Sequence, residues 1–343
     1  MKILQVMAGD SVGGAETFFV DSIKGLHETE HEQCVITRDN NAHKIAQIKE
    51  RNIPLKTASF SNLFRWPTAR IMKQAIKEFQ PDIVHHYMGR AGTYSQPGSH
   101  VNLGWYGGYY KPERFKHCTH HAAVTQDIVD HIIANGVPKE NAHLLEIYAE
   151  FDQGTPIDRG QFDTPDDAPL MVSLSRLHIK KGLDVLLEAL VKVPDAYLWI
   201  AGSGPIENEL KQQMVDLKLE DRVRFLGWRN DQANLLATAD ICAFPSRYEP
   251  FGAVVIEAWA CKKPLVTAKA AGPKAYVRHE ENGLIVDIDD VDALAENLNR
   301  VIKDKDLSNH IVKNGYQAYQ NGFTREVFKK NVTELYERIL KTR

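Results

Sequence analysis

Four cysteines stand in 343 residues, Cys34, Cys118, Cys242 and Cys261, and no two are at CxxC spacing. That absence argues against a disulfide framework and favours reduced thiols. No stretch approaches the roughly 20 apolar residues of a membrane-spanning helix. The opening MKILQVMAGDSVGGAE also lacks the apolar core of a secretory leader, so a cytoplasmic location is expected. Neither sign of charge dominates. The formal net charge is −3, which gives no argument for nucleic acid as a partner. No repeat or low-complexity segment appears. The length exceeds what one hydrophobic core usually serves, so two domains are expected.

The apolar pattern alternates between strand and helix. In the first half, residues 3–7, 33–37, 83–87, 122–124 and 142–146 read as strands, and 15–26, 42–51, 67–79 and 126–135 as helices. Gly9, Gly13 and Gly14 follow the first strand but do not form GxGxxG, and a tight turn explains them as well as a phosphate cradle does. Residues 88–110, MGRAGTYSQPGSHVNLGWYGGYY, show no period and read as a long loop of the kind that often carries function. The adjoining KPERFKHCTHH sets Lys111, Arg114 and Lys116 beside Trp105, Tyr109, Tyr110 and Phe115. Such a surface fits a sugar or an anionic membrane face, and equally a solvated loop over packed aromatics.

The polar stretch 155–169, rich in Pro, Gly and Asp, reads as a linker after a first domain of residues 1–154. The alternation restarts in a second domain, 170–322. Strands are expected at 170–174, 197–201, 223–226, 240–244, 265–268 and 283–286, and helices at 183–192, 206–217, 231–238, 253–260 and 291–302. A closing segment, 323–343, holds a helix over 324–340. Phe328, Val332, Leu335 and Ile339 there fall at spacings of four, three and four, giving one apolar face. Two successive parallel α/β units predict an α/β protein of two Rossmann-like, doubly wound lobes with a cleft between them.

The chemistry concentrates in residues 239–266, ADICAFPSRYEPFGAVVIEAWACKKPLV. A strand, a polar loop, a helix and a strand succeed one another, and such units bind ligands where the strand's carboxyl end meets the loop. Glu249 precedes the helix N-terminus, where unpaired N–H groups favour anions and polar oxygens. Glu257 follows eight positions on, inside the helix. Earlier, SRLHIKKGLD sets Arg176 and Lys181 after the first strand of the second half, a guanidinium and an ammonium suited to a diphosphate. Each residue alone is as well explained as a solvated side chain or a plain turn. The order of the basic loop, the Gly202-Ser203-Gly204-Pro205 loop and then Glu-x-Phe-Gly with its second Glu is what discriminates.

With those motifs the second half resembles the donor-binding domain of retaining nucleotide-sugar glycosyltransferases of the GT-B fold, the glycosyltransferase family 4 or group 1 type. SRLHIKKGLD, EPFGAVVIEAW and PLVTAKAAGPKAYVRHEENGLIV carry the resemblance across nearly all of residues 170–300. It implies that Arg176 and Lys181 neutralise the diphosphate leaving group and that Glu249 meets hydroxyls of the transferred sugar. It implies contacts near Phe251 and Gly252, ribose binding by Glu257, and base walls at Gly202, Gly204 and Arg229. Gly13 and Gly14 resemble a glycine pair that approaches the diphosphate from the other lobe, and the closing helix is expected to return to the first domain. The implied partners are a nucleotide sugar and a saccharide or glycolipid acceptor in lipopolysaccharide or other surface-glycan synthesis. No cofactor or metal is implied. Peripheral contact with the inner membrane is compatible with the basic closing helix.

In the first half, IVHHYMGRAG resembles a family stretch reading His-x-His, but Tyr87 holds the second His position. His85, Arg90 and His100 are the acceptor-side candidates, with Trp105 competing with His100 for its place. Eleven of the fourteen histidines precede residue 155. His117, Cys118, His120 and His121 match no closed zinc spacing, and a solvent-facing segment is the expected setting for them. The competing functions are an inverting transferase or epimerase acting on a nucleotide sugar, and a non-catalytic nucleotide-sugar-binding subunit.

Overall fold

The computed structural model describes residues 1–9, 14–40, 42–61, 63–149 and 154–342. The chain divides into two compact units, Met1–Tyr148 with Thr324–Arg343, and Ala149–Phe323. All four cysteines are free. Among the described residues no helix is long and apolar enough to cross a membrane.

In the first unit, β1 (Lys2–Met7), β2 (Glu32–Thr37), β3 (Leu55–Thr57), β4 (Ile83–Tyr87), β5 (Val101–Tyr106), β6 (His120–Ala123) and β7 (Ala142–Leu144) form one sheet in the order β3-β2-β1-β4-β5-β6-β7. Every pairing is parallel. The strand order reverses between β1 and β4, which pair from Ile3 opposite Ile83 to Met7 opposite Tyr87. Parallel strands buried on both faces read as continuous runs rather than alternations, and β4 and β5 are buried at every residue.

That burial corrects the expectation of a long loop over 88–110. The segment contains the short helix Met88–Gly92 and the interior strand β5. VNLGWY carries no periodic signal because both of its faces are covered. Gly104 leaves room for Phe115, whose ring a Cβ at that position would approach to 2.5 Å. The aromatic surface is corrected with it: Trp105 and Phe115 are 2% and 1% exposed and belong to the core. His120 and His121, expected on a solvent-facing segment, lie buried in β6. His120 Nδ1 meets His143 Nε2 at 3.2 Å, and His121 Nδ1 meets the Tyr106 hydroxyl at 2.8 Å.

The closing helix, Arg325–Lys341, starts where Thr324 Oγ1 accepts from the N–H of Val327, a side-chain cap for an otherwise unpaired donor. Phe328, Val332, Leu335 and Ile339 are buried as their spacing predicts. Phe328 packs edge-on against Phe18 of the helix Gly14–His27, with centroids 5.5 Å apart.

The second unit's sheet comprises β8 (Leu170–Leu174), β9 (Tyr197–Ala201), β10 (Val223–Gly227), β11 (Ile241–Phe244), β12 (Leu265–Ala268) and β13 (Leu284–Val286), in the order β10-β9-β8-β11-β12-β13. It too is parallel and reverses once, between β8 and β11. Leucine and isoleucine from the strands and from the helices Leu183–Val191 and Val291–Lys303 fill one continuous core. The stretch read as a linker packs onto this unit. Phe162 lies against Trp199 with centroids 5.0 Å apart, Trp199 Nε1 donates to Thr164 Oγ1 at 3.0 Å, and Arg159 donates to the carbonyls of Ala168 and Thr238, each at 2.8 Å. The helices Ala271–Tyr276 and Lys305–Gly322 complete the unit.

Candidate active site in the second unit

The reversal of strand order puts the loops leaving β8 and β11 side by side at the carboxyl edge of the sheet, the place where parallel α/β folds collect ligands. The loop after β8 and the loop after β9 pack backbone to backbone. Leu177 N donates to Ser203 O at 3.0 Å, and Gly202 N donates to Gly227 O at 2.8 Å. Gly202 has φ 152°, and a Cβ there would stand 1.9 Å from Ser175 O, so only glycine permits this approach.

Charge is ordered across the two loops. Lys181 Nζ donates to Glu249 Oε2 at 2.5 Å, with the side chains 23% and 15% exposed. Lys180 reaches over the Tyr248 ring at 4.5 Å. Arg247 clamps the loops together. Its guanidinium takes both oxygens of Asp184 at 2.7 and 2.6 Å, Asp289 at 2.5 Å and the Ile179 carbonyl at 2.7 Å, and its N–H donates to Lys180 O at 2.9 Å. Asp184 and Asp289 raise its pKa further. Arg176 is exposed two residues beyond β8, and its guanidinium has no hydrogen-bond or ion-pair partner among the described residues. One cation is thus paired and one is open.

Glu249 is fixed by more than Lys181, because its carbonyl accepts from Gly272 N at 2.8 Å. Phe251 is buried, and its carbonyl accepts the Tyr276 hydroxyl, which also reaches Gly252 O at 3.2 Å. Gly252, with φ 89°, is the N-cap of the helix Ala253–Ala260. The helix's first N–H groups therefore follow directly on Glu249, and Glu257 lies partly exposed within it. Arg229 is held by Asp231 at 2.8 and 2.6 Å. The hydrogen bonds from its guanidinium, and then its charge, keep the Asp231 carboxyl below the usual range. Trp228 beside it is 64% exposed. Sequence reasoning missed Arg247 and the hydroxyls of Ser175 and Ser246. Both Oγ atoms are buried without a hydrogen-bond partner, each in a serine directly after the apolar run or turn that ends a strand.

The first unit gathers no comparable site from the expected residues. Gly13 lies outside the described residues, and Gly14 is an exposed first residue of its helix. His85 is a core ring rather than an acceptor contact at a surface. It is wholly buried, its Nδ1 meets the Tyr336 hydroxyl at 2.8 Å, and burial pushes its pKa down to about 3. His100 is 7% exposed and bonds the Gln96 carbonyl at 3.1 Å. Tyr87 is buried between Ser22 Oγ at 2.7 Å and Gln5 Oε1 at 3.0 Å. Arg90 is partly exposed in the helix Met88–Gly92, which the chain enters through Met88 at φ 68°.

Comparison with known proteins agrees with this division. Residues 12–146 match the model of Glycosyltransferase Family 4, and residues 155–318 match that of Glycosyl transferases group 1. The chain is 29% identical to the lipopolysaccharide core biosynthesis glycosyltransferase LpsE of Rhizobium meliloti, over 99% of both chains. It is 28% identical to LpsD of the same organism, over 98% of both. Among solved structures it superposes on Anabaena HepE in complex with UDP and glucose with a TM-score of 0.85, at 24% identity, covering 98% of this chain and 99% of that one.

Proposed function

The chain is a glycosyltransferase of the GT-B fold, a Glycosyltransferase Family 4 half joined to a Glycosyl transferases group 1 half, and from that premise we propose that it moves a sugar from a nucleoside-diphosphate sugar to a hydroxyl of a saccharide or glycolipid in lipopolysaccharide or other surface-glycan synthesis. The observation that carries the proposal is the carboxyl-edge constellation of an open Arg176, the Lys181–Glu249 pair and the helix N-terminus after Gly252. The names of the LpsE and LpsD relatives support the pathway class.

In this reading the acceptor oxygen forms a bond to the anomeric carbon while the bond from that carbon to the diphosphate breaks. The electron pair leaves with the nucleoside diphosphate, and the acceptor proton passes to a phosphate oxygen on the same face, giving retention. Charge develops on the leaving phosphate, where preorganised cations and N–H dipoles act most strongly. Arg176 and Lys181 meet that charge, and the helix N-terminus adds to it. Ser175 and Ser246 bring hydroxyls that lack other partners. Glu249 accepts from hydroxyls of the sugar, Glu257 from the ribose, and the Gly202–Gly204 and Arg229 loops flank the base. The two side-chain cations stand in for a metal, so transfer proceeds without one. The enzyme works at the cytoplasmic side of a membrane, with peripheral contact.

The test is a screen of purified protein against UDP-, GDP- and ADP-sugars, with and without a chelator. A donor that binds only the folded chain raises its Tm. One base class is expected to do so regardless of chelator, and the product is expected to keep the donor's anomeric configuration by NMR. An inverted product overturns retention, a chelator-sensitive rate overturns metal independence, and donor binding without hydrolysis or transfer favours the binding-subunit alternative.

A further inference from the structure

Arg247 lies two residues ahead of Glu249 on the loop that leaves β11, and its hydrogen bonds run to other segments rather than to that carboxylate. Nη1 and Nη2 take the two oxygens of Asp184, in the first turn of the helix Leu183–Val191. Nε takes Asp289, on the loop between β13 and the helix Val291–Lys303. Nη1 also donates to the Ile179 carbonyl, and the backbone N–H groups of Arg247 and Tyr248 both donate to the Lys180 carbonyl, at 2.9 and 3.1 Å. Lys181 is the next residue. At least four of the five guanidinium N–H donors are thus committed within this unit. Two carboxylates share the one cation, a setting that disfavours a further anion. The residue holds parts of the fold, not a ligand.

Those parts are anchored at both ends. Asp184 and Asp289 stand at the starts of two helices whose leucines, Leu186, Leu190, Leu294 and Leu298 among them, share one core. Asp290, beside Asp289, caps the second helix by accepting from Ala293 N at 2.9 Å. On the far side of Lys181, the two loops cross at Gly182. Its φ is 64°, and a Cβ there would stand 2.2 Å from Pro245 O, so the crossing admits no side chain. Lys181 therefore leaves a loop fastened on both sides, by Arg247 at Ile179 and Lys180 and by close backbone approach at Gly182. Its partner Glu249 leaves the same loop as the clamp. Electrostatic stabilisation depends on where a charge stands, and a misplacement of about 1 Å can cost about 100-fold in rate.

We propose that Arg247 is a positioning residue for sugar transfer: gripped by Asp184 and Asp289, it fixes the Lys180–Lys181 backbone against the Glu249 loop and so holds the Lys181 ammonium where the leaving diphosphate develops its charge. Lysine is no substitute, because one ammonium cannot form the fork to Asp184 and also reach Asp289 and Ile179 as a planar guanidinium does. The inference deepens the proposed function, and its kinetic part rests on that reading. Its thermodynamic part needs neither donor nor acceptor.

The experiment compares the full chain with Arg247→Lys, and with Asp184→Asn as a second variant that weakens the fork from its other end. Single-turnover transfer at saturating donor is expected to fall about 10- to 100-fold in Arg247→Lys, while donor Kd stays within about threefold because the clamp itself contacts no ligand. Arg247→Lys/Lys181→Ala should transfer within about threefold of Lys181→Ala alone, since a clamp that acts through Lys181 then has nothing left to position. Without ligand, the coupling between Lys181 and Glu249 is read as the non-additive part of the Tm shifts of Lys181→Ala, Glu249→Gln and their double variant. It should shrink by about half or more when residue 247 is lysine or residue 184 is asparagine. Unchanged transfer in both variants, losses that multiply with Lys181→Ala, or an undiminished coupling overturns the proposal. Absence of transfer by the unmodified chain with every nucleotide sugar refutes the reaction instead, and the coupling then decides the clamp by itself.

Discussion

Removing the Lys181 ammonium should do two separable things, because that one group faces both Glu249 and the place assigned to the diphosphate. Lys181→Ala leaves the Glu249 carboxylate, 15% exposed, without its 2.5 Å partner. Breaking a fully buried pair costs about 3–5 kcal/mol and an exposed one about 0–1. A partly exposed pair falls between, at about 1–2 kcal/mol. For a unit of this size each kcal/mol lowers Tm by about 2–4 °C, so a fall of several degrees is expected. The second effect is kinetic. Loss of one preorganised charge donor to a developing oxyanion typically costs about 100- to 1,000-fold in kcat. The assay pairs calorimetry with single-turnover transfer for Lys181→Ala, Glu249→Gln and the double variant. Neutralising the orphaned carboxylate should restore most of the lost Tm in the double variant while transfer stays low. Recovery of transfer along with Tm would refute the reasoning, because Lys181 would then serve only to hold Glu249.

Two further outcomes follow from the same structure. Gly202→Ala places a methyl group 1.9 Å from Ser175 O at φ 152°. It should destabilise the second unit by at least about 2 kcal/mol and weaken donor binding in thermal shift, while Gly14→Ala, with open space around it, should not destabilise the first unit to that extent. The first unit should also lose stability in acid. Burial holds His85 near 3 and His86, His121 and His143 near 4, so these rings are neutral in the folded state. The unfolded chain takes up their protons below its ordinary histidine pKa of about 6.5. Stability is therefore complete above that pH and falls between about 6.5 and 4, with His85 and His86 alone contributing a slope of up to about 3 kcal/mol per pH unit. Denaturant titrations followed by circular dichroism at stepped pH check the sign, and a first unit equally stable at both ends of that window would contradict it.

The α/β class, the two halves, the apolar stripe of the closing helix and the order of the basic loop and Glu-x-Phe-Gly motif were all legible in the chain. Each rests on local chemistry: a period of 3.6, a run of strand length, or a motif whose spacing survives any packing. The helix Ala253–Ala260 falls on the residues its apolar run predicts. The misreadings share one cause. Strand β5 carries no period because both of its faces are covered. Trp105, Phe115, His120 and His121 are polar or aromatic enough to suggest a surface, and whether they touch water depends on which residues from far along the chain cover them. Tertiary structure alone decided that His85 answers to Tyr336, 251 residues away, and that Lys181 meets Glu249, 68 residues on. It also decided that Arg247 ties their loops together. Sequence determines which side chains are available at each strand end, and strand order determines which strand ends are neighbours. Only the second fact makes a site.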